Sequence, residues 1–95
     1  QRLRQEWIMH KVITISNAEQ RVRIVLKNLS EQNGVKDVRG TIITLKVTHK
    51  DIADYALTSR ETVTRILNRL IAEGEIEILK DRHILLKKAI LKRMP

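Results

Sequence analysis

Residues 59–74 read SRETVTRILNRLIAEG, and this stretch decides the fold. Its apolar residues recur at intervals of three and four, as they do on one face of an α-helix; they are Val63, Ile66, Leu67, Leu70 and Ile71. Gly74 follows as a residue typical of the position just after a helix. The pattern predicts a helix over 59–73 with one packed face, and with Glu61, Arg65 and Arg69 on the opposite face.

A shorter helix is predicted immediately before this one. Thr48 and Asp51 have the spacing of a capping box, and a short apolar stripe over 52–56 follows before residues 57–59 interrupt it. Two helices joined by a short turn are typical of a helix-turn-helix.

Strands are predicted on both sides of this helix pair. Before it, residues 41–47 form a run rich in β-branched residues, while Lys36-Asp37 and Arg39-Gly40 indicate loops. After it, residues 75–78 alternate between acidic and apolar, 80–82 are polar, and the next residues are mostly apolar, as in a β-hairpin. This order predicts an α+β, mainly helical fold, a winged helix-turn-helix whose wing is the hairpin.

Two more helices are predicted toward the N-terminus. Residues 1–15 place apolar side chains at helical spacing. Ser16 and Glu19 match a capping box at the start of a helix over about 17–32, which Asn33 and Gly34 end. At the other end of the chain, residues 87–95 are expected to form a basic, partly apolar tail.

The charge of the chain indicates an anionic partner. Lys and Arg number 19 against 11 Asp and Glu, which gives a net charge of +8, and nucleic acid is the first candidate. Residues 48–74 are themselves neutral, with four basic and four acidic residues. We therefore expect affinity to come mainly from cations outside this segment, and discrimination to come from within it.

Composition argues against several other classes of function. The chain has no cysteine, which excludes disulfides and thiolate zinc sites, and its two aromatic residues are too few for modules that stack bases. Its three glycines form no phosphate-binding loop, and no enzyme constellation has usable spacing. The histidines lie on separate predicted elements, so no metal site is expected. Without a membrane span or signal peptide, the expected location is cytoplasmic.

The start of the second helix of the pair carries side chains suited to duplex DNA. Arginine is the commonest bidentate reader of guanine, and glutamate can accept from the amino group of cytosine, which makes Arg60, Glu61 and Arg65 candidate base readers. A capping box from Thr58 to Glu61 explains the glutamate about equally well. Hydroxyls at the same helix start suit a phosphate, although ordinary capping explains them too.

Residues 48–76 resemble the C-terminal DNA-binding domain of the Crp/Fnr family of bacterial transcription regulators. The family pattern S-R-E-T-V-x-R, followed by a leucine-rich helix and E-G-x-I, is matched by the core Ser59 to Arg65 and by the residues after it. The resemblance implies that Arg60 and Arg65 contact guanines and that Glu61 contacts a cytosine. Together with the charge and hydroxyl pattern it gives a set of expected phosphate contacts: Thr48, His49, Thr58, Ser59, Thr62, Arg69, Lys80 and Arg82.

The same resemblance implies an organisation for the whole regulator. Residues 1–15 would be the end of a dimerisation helix, residues 16–95 the winged helix-turn-helix, and an effector domain would lie upstream of Gln1. No cofactor is assigned to this chain, and the effector is unknown. The implied partners are double-stranded DNA with an inverted-repeat operator, a second copy of the protein, and RNA polymerase as a further candidate.

Individual residues indicate a branch of the Crp/Fnr family and affect the turn between the two helices of the pair. The loop at Gly34, the strand after Gly40 and the pair Thr48-His49 are similar to the global nitrogen regulator (NtcA-like) branch of cyanobacteria and plastids, which extends the expected location to the plastid stroma. Leu57 stands where the family usually has a glycine, and a left-handed conformation costs other residues on the order of 1 kcal/mol. Glu75 stands where an apolar residue is common.

A second hypothesis assumes the same fold but a protein partner instead of DNA. Winged helices also bind proteins, and the basic surface of this chain could meet an acidic protein. An apolar patch on the exposed helix face would favour that role, but the predicted face carries Glu61, Arg65 and Arg69 instead. DNA binding is therefore the leading hypothesis, with a protein-interaction module as the alternative.

Overall fold

The computed structural model of the protein describes residues 17–93. The described elements, in chain order, are helix α1 (Ala18–Asn33), strands β1 (Gly34–Asp37) and β2 (Gly40–Ile43), helices α2 (His49–Ala56) and α3 (Arg60–Ala72), strands β3 (Ile76–Ile78) and β4 (Ile84–Lys87), and helix α4 (Lys88–Arg93). The predicted winged helix-turn-helix is confirmed. The helix predicted over residues 1–15 lies outside the described residues.

The four strands form one antiparallel sheet in the order β1-β2-β4-β3. The wing hairpin of β3 and β4 is thus joined edge to edge with a second hairpin of β1 and β2. Gly40 permits this pairing, because its φ of 154° is rarely adopted by other residues and a Cβ there would collide with the backbone carbonyl of Leu86. Lys36-Asp37, predicted as a loop, belongs to β1.

The predicted strand over 41–47 is wrong in its second half. The backbone N–H of Thr44 turns back to the carbonyl of Asn33 at 2.7 Å, and the Thr44 hydroxyl donates to the same carbonyl at 2.7 Å. These bonds satisfy the carbonyl at the end of α1. In the register of the two strands the residue opposite Thr44 is Asn33, which belongs to α1, so β2 stops at Ile43.

One core joins the three long helices to the sheet. Buried apolar side chains come from every layer: Val22, Val25, Leu26 and Leu29 of α1, Ile52, Ala53 and Ala56 of α2, Val63, Ile66, Leu67 and Leu70 of α3, and Ile43, Ile76, Ile84 and Leu86 of the sheet. Ile71, predicted on the packed face of α3, is 40% exposed. Its direction lies about 90° from the centre of that face, at roughly 100° per residue.

Both ends of the described chain differ from the sequence prediction. The cap of α1 is Asn17, whose side chain accepts from the backbone of Gln20 while the Gln20 side chain accepts from the backbone of Asn17. The predicted capping box of Ser16 and Glu19 is therefore wrong by one residue, and Glu19 is left for other contacts. The predicted tail contains α4, which Ile90 anchors by complete burial in the core.

Candidate nucleic-acid interface

The turn between α2 and α3 forms with a leucine in a left-handed conformation. Leu57 has φ 55° and ψ 51°, and its backbone N–H and that of Thr58 both bond to the carbonyl of Ala53, the latter at 3.0 Å. Arg21 of α1 donates through Nε to the carbonyl of Ala56 at 2.8 Å. The turn geometry that a glycine usually provides is thus present here, supported by bonds to the end of α2.

The cap of α3 is Ser59, and the predicted capping box from Thr58 to Glu61 is wrong. The hydroxyl of Ser59 accepts from the backbone N–H of Thr62 at 3.1 Å and lies 2.8 Å from the hydroxyl of Thr62. Because the cap lies one residue later than predicted, Glu61 has no capping role, and its side chain is 78% exposed. The capping explanation for this glutamate therefore falls away.

The three predicted base readers lie together on the first turns of α3 and are all exposed. Arg60 approaches Glu61 with 3.9 Å between Nη2 and Oε2, and an exposed pair of this kind contributes at most about 1 kcal/mol. Arg65 makes no hydrogen bond or ion pair with any residue of the described range. All three side chains are consequently available to a ligand without loss of a strong internal contact.

Arg69, further along α3, is differently placed. Its guanidinium forms an ion pair with Glu19 of α1, and Nη1 lies 3.5 Å from Oε2 of Glu73. The carboxylate of Glu19 directs Arg69 toward α1, and Glu73 is the residue that follows α3. Its predicted phosphate contact stays a prediction, and making that contact would compete with Glu19.

A buried ion pair, absent from the sequence predictions, lies at the C-terminal side of α3. Glu75 is only 3% exposed, and its carboxylate accepts from Arg23 of α1 at 2.8 Å and 3.5 Å. Arg23 also lies 3.3 Å from Glu19, its i−4 neighbour. Because Arg23 and Glu75 are 52 residues apart, no local pattern predicts their pairing. The sequence indicated it only through the i, i+4 spacing of Glu19 and Arg23 and through Glu75, an acid at a position that is usually apolar.

The start of α2 is joined to α3 by a side-chain contact. Thr48 and Asp51 form the predicted capping box, with bonds of 2.9 Å and 3.0 Å. Nδ1 of the half-buried His49 lies 2.7 Å from the hydroxyl of Thr64 on α3. This contact fixes the start of one helix against the middle of the other.

A groove of about 520 Å³ separates this helix start from the wing. It is lined by apolar, basic and polar residues: Lys46, Val47, Thr48, His49, Ile78, Arg82 and Ile84. Thr48, His49 and Arg82, predicted on separate elements to contact phosphate, are therefore brought to one place.

The wing turn presents two exposed cations. Lys80 and Arg82 flank Asp81, and Arg82 takes a φ of 71° while its N–H bonds to the carbonyl of Leu79 at 2.8 Å. Asp81 accepts from His83 at both the backbone N–H (3.1 Å) and ring Nδ1 (2.7 Å). These hydrogen bonds from His83 hold the pKa of Asp81 below its usual value of 3.8.

Other kinds of site are not found within residues 17–93. Among these residues no group of three potential metal-ligating side chains converges. None of the helices in this range has the length and apolar character required to span a bilayer.

Comparison with known proteins decides the family. The model of the Crp-like helix-turn-helix domain matches residues 20–94. The chain belongs to this family. The Crp-like domain is 36% identical over 80 residues to ycf28 of Porphyra purpurea, named as an HTH-type transcriptional regulator. It is 33% identical over 79 residues to the nitrogen fixation regulation protein FixK of Azorhizobium caulinodans.

These alignments cover 84% and 81% of the chain but only 32% of each relative, so the chain spans about a third of their length. Among solved structures, a CooA variant from Carboxydothermus hydrogenoformans matches with a TM-score of 0.80 at 24% identity, covering 92% of this chain and 41% of that one, which bears on the fold alone. The CRP-family transcriptional regulator TTHB099 from Thermus thermophilus matches with a TM-score of 0.78 at 26% identity, covering 97% and 47%. The domain and its relatives are those of DNA-binding transcription regulation and not of an enzyme family.

Proposed function

We propose that this Crp-like domain is the operator-reading module of a dimeric transcription regulator and that it inserts α3 into the major groove of double-stranded DNA. In this role Arg60 and Arg65 pair with guanines, and Glu61 accepts from the amino group of a cytosine. The protein of which the chain is part acts on DNA in the bacterial cytoplasm or the plastid stroma, with RNA polymerase as a candidate partner.

The observation that carries this proposal is the environment of Glu61. A carboxylate on a surface that faces phosphates weakens binding unless it meets a donor on a base edge. Glu61 lies near two exposed arginines, on the helix face opposite the core, and the cap at Ser59 leaves it without a capping role. Base recognition accounts for an acid at this position, whereas a general affinity for polyanions does not.

Phosphate contacts fix the position of α3 in the groove. Backbone N–H groups and hydroxyls at the starts of α2 and α3 suit phosphate oxygens, and the wing adds charge. The proposed set comprises Thr48, His49, Thr58, Ser59, Thr62, Arg69, Lys80 and Arg82. These contacts are independent of base sequence and weaken as salt rises.

The dimer sets the form of the operator. Two copies related by a twofold axis present two α3 helices, and such dimers bind inverted half-sites one helical turn apart, about 34–36 Å. The similarity to the NtcA-like branch stays a prediction, because neither curated relative carries that name.

Fluorescence anisotropy tests the proposal directly. The chain is titrated onto a duplex with inverted TGTGA-type half-sites and onto a scrambled duplex of equal length, each at two salt concentrations. We expect tighter binding to the inverted repeat and weaker binding to both duplexes at higher salt. Equal affinities for the two duplexes would contradict base reading, and no binding at low salt would favour a protein partner.

A further inference from the structure

The exposed face of α3 extends beyond the predicted base readers. At roughly 100° per residue, the buried residues of α3 centre on one direction, and the direction opposite to it is shared by four positions, all exposed: Glu61, Arg65, Asn68 and Ala72. Asn68 lies about 30° from the centre of this stripe, whereas Arg69 lies about 70° from it, on the flank toward α1. Asn68, and not Arg69, therefore continues the line of Glu61 and Arg65.

Asn68 and Arg69 also differ in their contacts. Arg69 is engaged by Glu19 and Glu73. The exposed carboxamide of Asn68 forms no hydrogen bond with another residue of the part described. Its two donors and its acceptor oxygen are thus free to meet a ligand on the stripe.

We propose that Asn68 is a further base-reading residue and that it pairs with an adenine, an inference that rests on the proposed function. Asparagine makes a bidentate pair with N6 and N7 of adenine, and no other base offers this pattern in the major groove. Asn68 lies about 4.5 Å beyond Arg65 along the helix, close to the spacing of one base pair. The adenine belongs to the base pair next to the guanine that Arg65 contacts.

Dependence on base sequence separates this role of Asn68 from a phosphate contact. A phosphate contact carries no sequence information, so its removal would weaken binding to every duplex alike. Removal of a base-reading amide changes the preference at a single base pair. The two roles therefore predict different measurements.

The test measures base preference position by position. The preferred half-site is taken from a randomised duplex library, and the affinity of the chain is measured for all single-base-pair substitutions of it. The variants are Asn68→Ala, Asn68→Gln and the control Asn28→Ala, which removes the same side chain from α1. Circular dichroism melts establish that each variant is folded.

We expect Asn68→Ala to lose a preference of about tenfold for A·T at one base pair, with the other preferences and the salt slope unchanged. Asn68→Gln retains adenine preference, because glutamine offers the same pair of groups, and Asn28→Ala changes nothing. If the wild-type chain selects a half-site but Asn68→Ala has the same preferences or loses affinity uniformly, this inference alone is overturned. A wild-type chain without any sequence preference overturns the proposed function together with it.

Discussion

Arg23 and Glu75 form a buried ion pair that ties α1 to the residues just after α3, with 2.8 Å between Nη1 and Oε1. Their side chains are 15% and 5% exposed, so neither charge is well hydrated when its partner is removed. Through Arg23 and Glu19 the pair connects to Arg69. The C-terminal half of α3 is thereby held to α1.

Loss of one partner of this pair is expected to destabilise the domain strongly. Glu75→Ala should lower the free energy of unfolding by about 3 kcal/mol, because Arg23 would keep a largely buried charge with only the partly exposed Glu19 beside it. The double variant Arg23→Met with Glu75→Leu should recover most of that loss, since an apolar pair of similar volume often substitutes for a buried ion pair. Urea unfolding measures the free energy of unfolding of the single and the double variant. A double variant as unstable as Glu75→Ala would contradict this account.

The left-handed turn residue gives a prediction about local strain. Leu57→Val should lower the free energy of unfolding by about 1 kcal/mol or more, because a β-branched residue is a poor fit to positive φ. Leu57→Gly should be at least as stable as the wild type, since the strain it relieves offsets the entropy that glycine loses on folding. Thermal denaturation checks this order, and a valine variant more stable than the glycine variant would refute it.

The wing cations are expected to act without regard to sequence. Lys80→Ala and Arg82→Ala should each weaken binding to specific and scrambled duplexes alike, and each should reduce the magnitude of the salt slope by about 1. Lys88→Ala, which removes an exposed cation from α4, serves as the comparison variant. A change of base preference in either wing variant would mean that the wing reads bases.

The wing turn also has an expected pH dependence. Hydrogen bonds from His83 depress the pKa of Asp81, so the bonds stabilise the folded form above the ordinary value of 3.8 and are lost as pH falls through the lower folded pKa. NMR titration of the Asp81 carboxyl should therefore give a midpoint below 3.8, and His83→Ala should raise that midpoint. An unchanged midpoint in the variant would show that His83 is not the cause.

Local sequence patterns predicted most of the helices. The elements that were not predicted, β1 and α4, depend on long-range contacts. The apolar periodicity of α3 and the capping box of α2 are properties of adjacent residues, and both were confirmed. Strand β1 is short and mostly exposed, so it has no clear alternation and is defined by pairing with β2. Helix α4 is likewise held by the burial of Ile90 against distant residues.

The candidate site was predictable to a similar degree. Exposure of Glu61, Arg65 and Arg69 followed from helical geometry, and the structure agrees with it. The engagement of Arg69 depends on Glu19 in a different helix, which no local pattern reveals. A shift of one residue in two of the three predicted caps, to Asn17 and to Ser59, leaves Glu19 and Glu61 without the predicted capping role.

The most direct test of the central claim is the substitution Glu61→Gln, compared with Glu73→Gln, which removes the same charge from the far end of α3. Affinities for the inverted-repeat and the scrambled duplex are measured at one salt concentration. We predict that Glu61→Gln reduces the difference in binding free energy between the inverted-repeat and the scrambled duplex by about 1–3 kcal/mol. Binding to the scrambled duplex should stay equal or become tighter, because a negative charge is removed. Glu73→Gln should leave the difference in binding free energy unchanged. An unchanged difference in Glu61→Gln would contradict base reading by this face of α3.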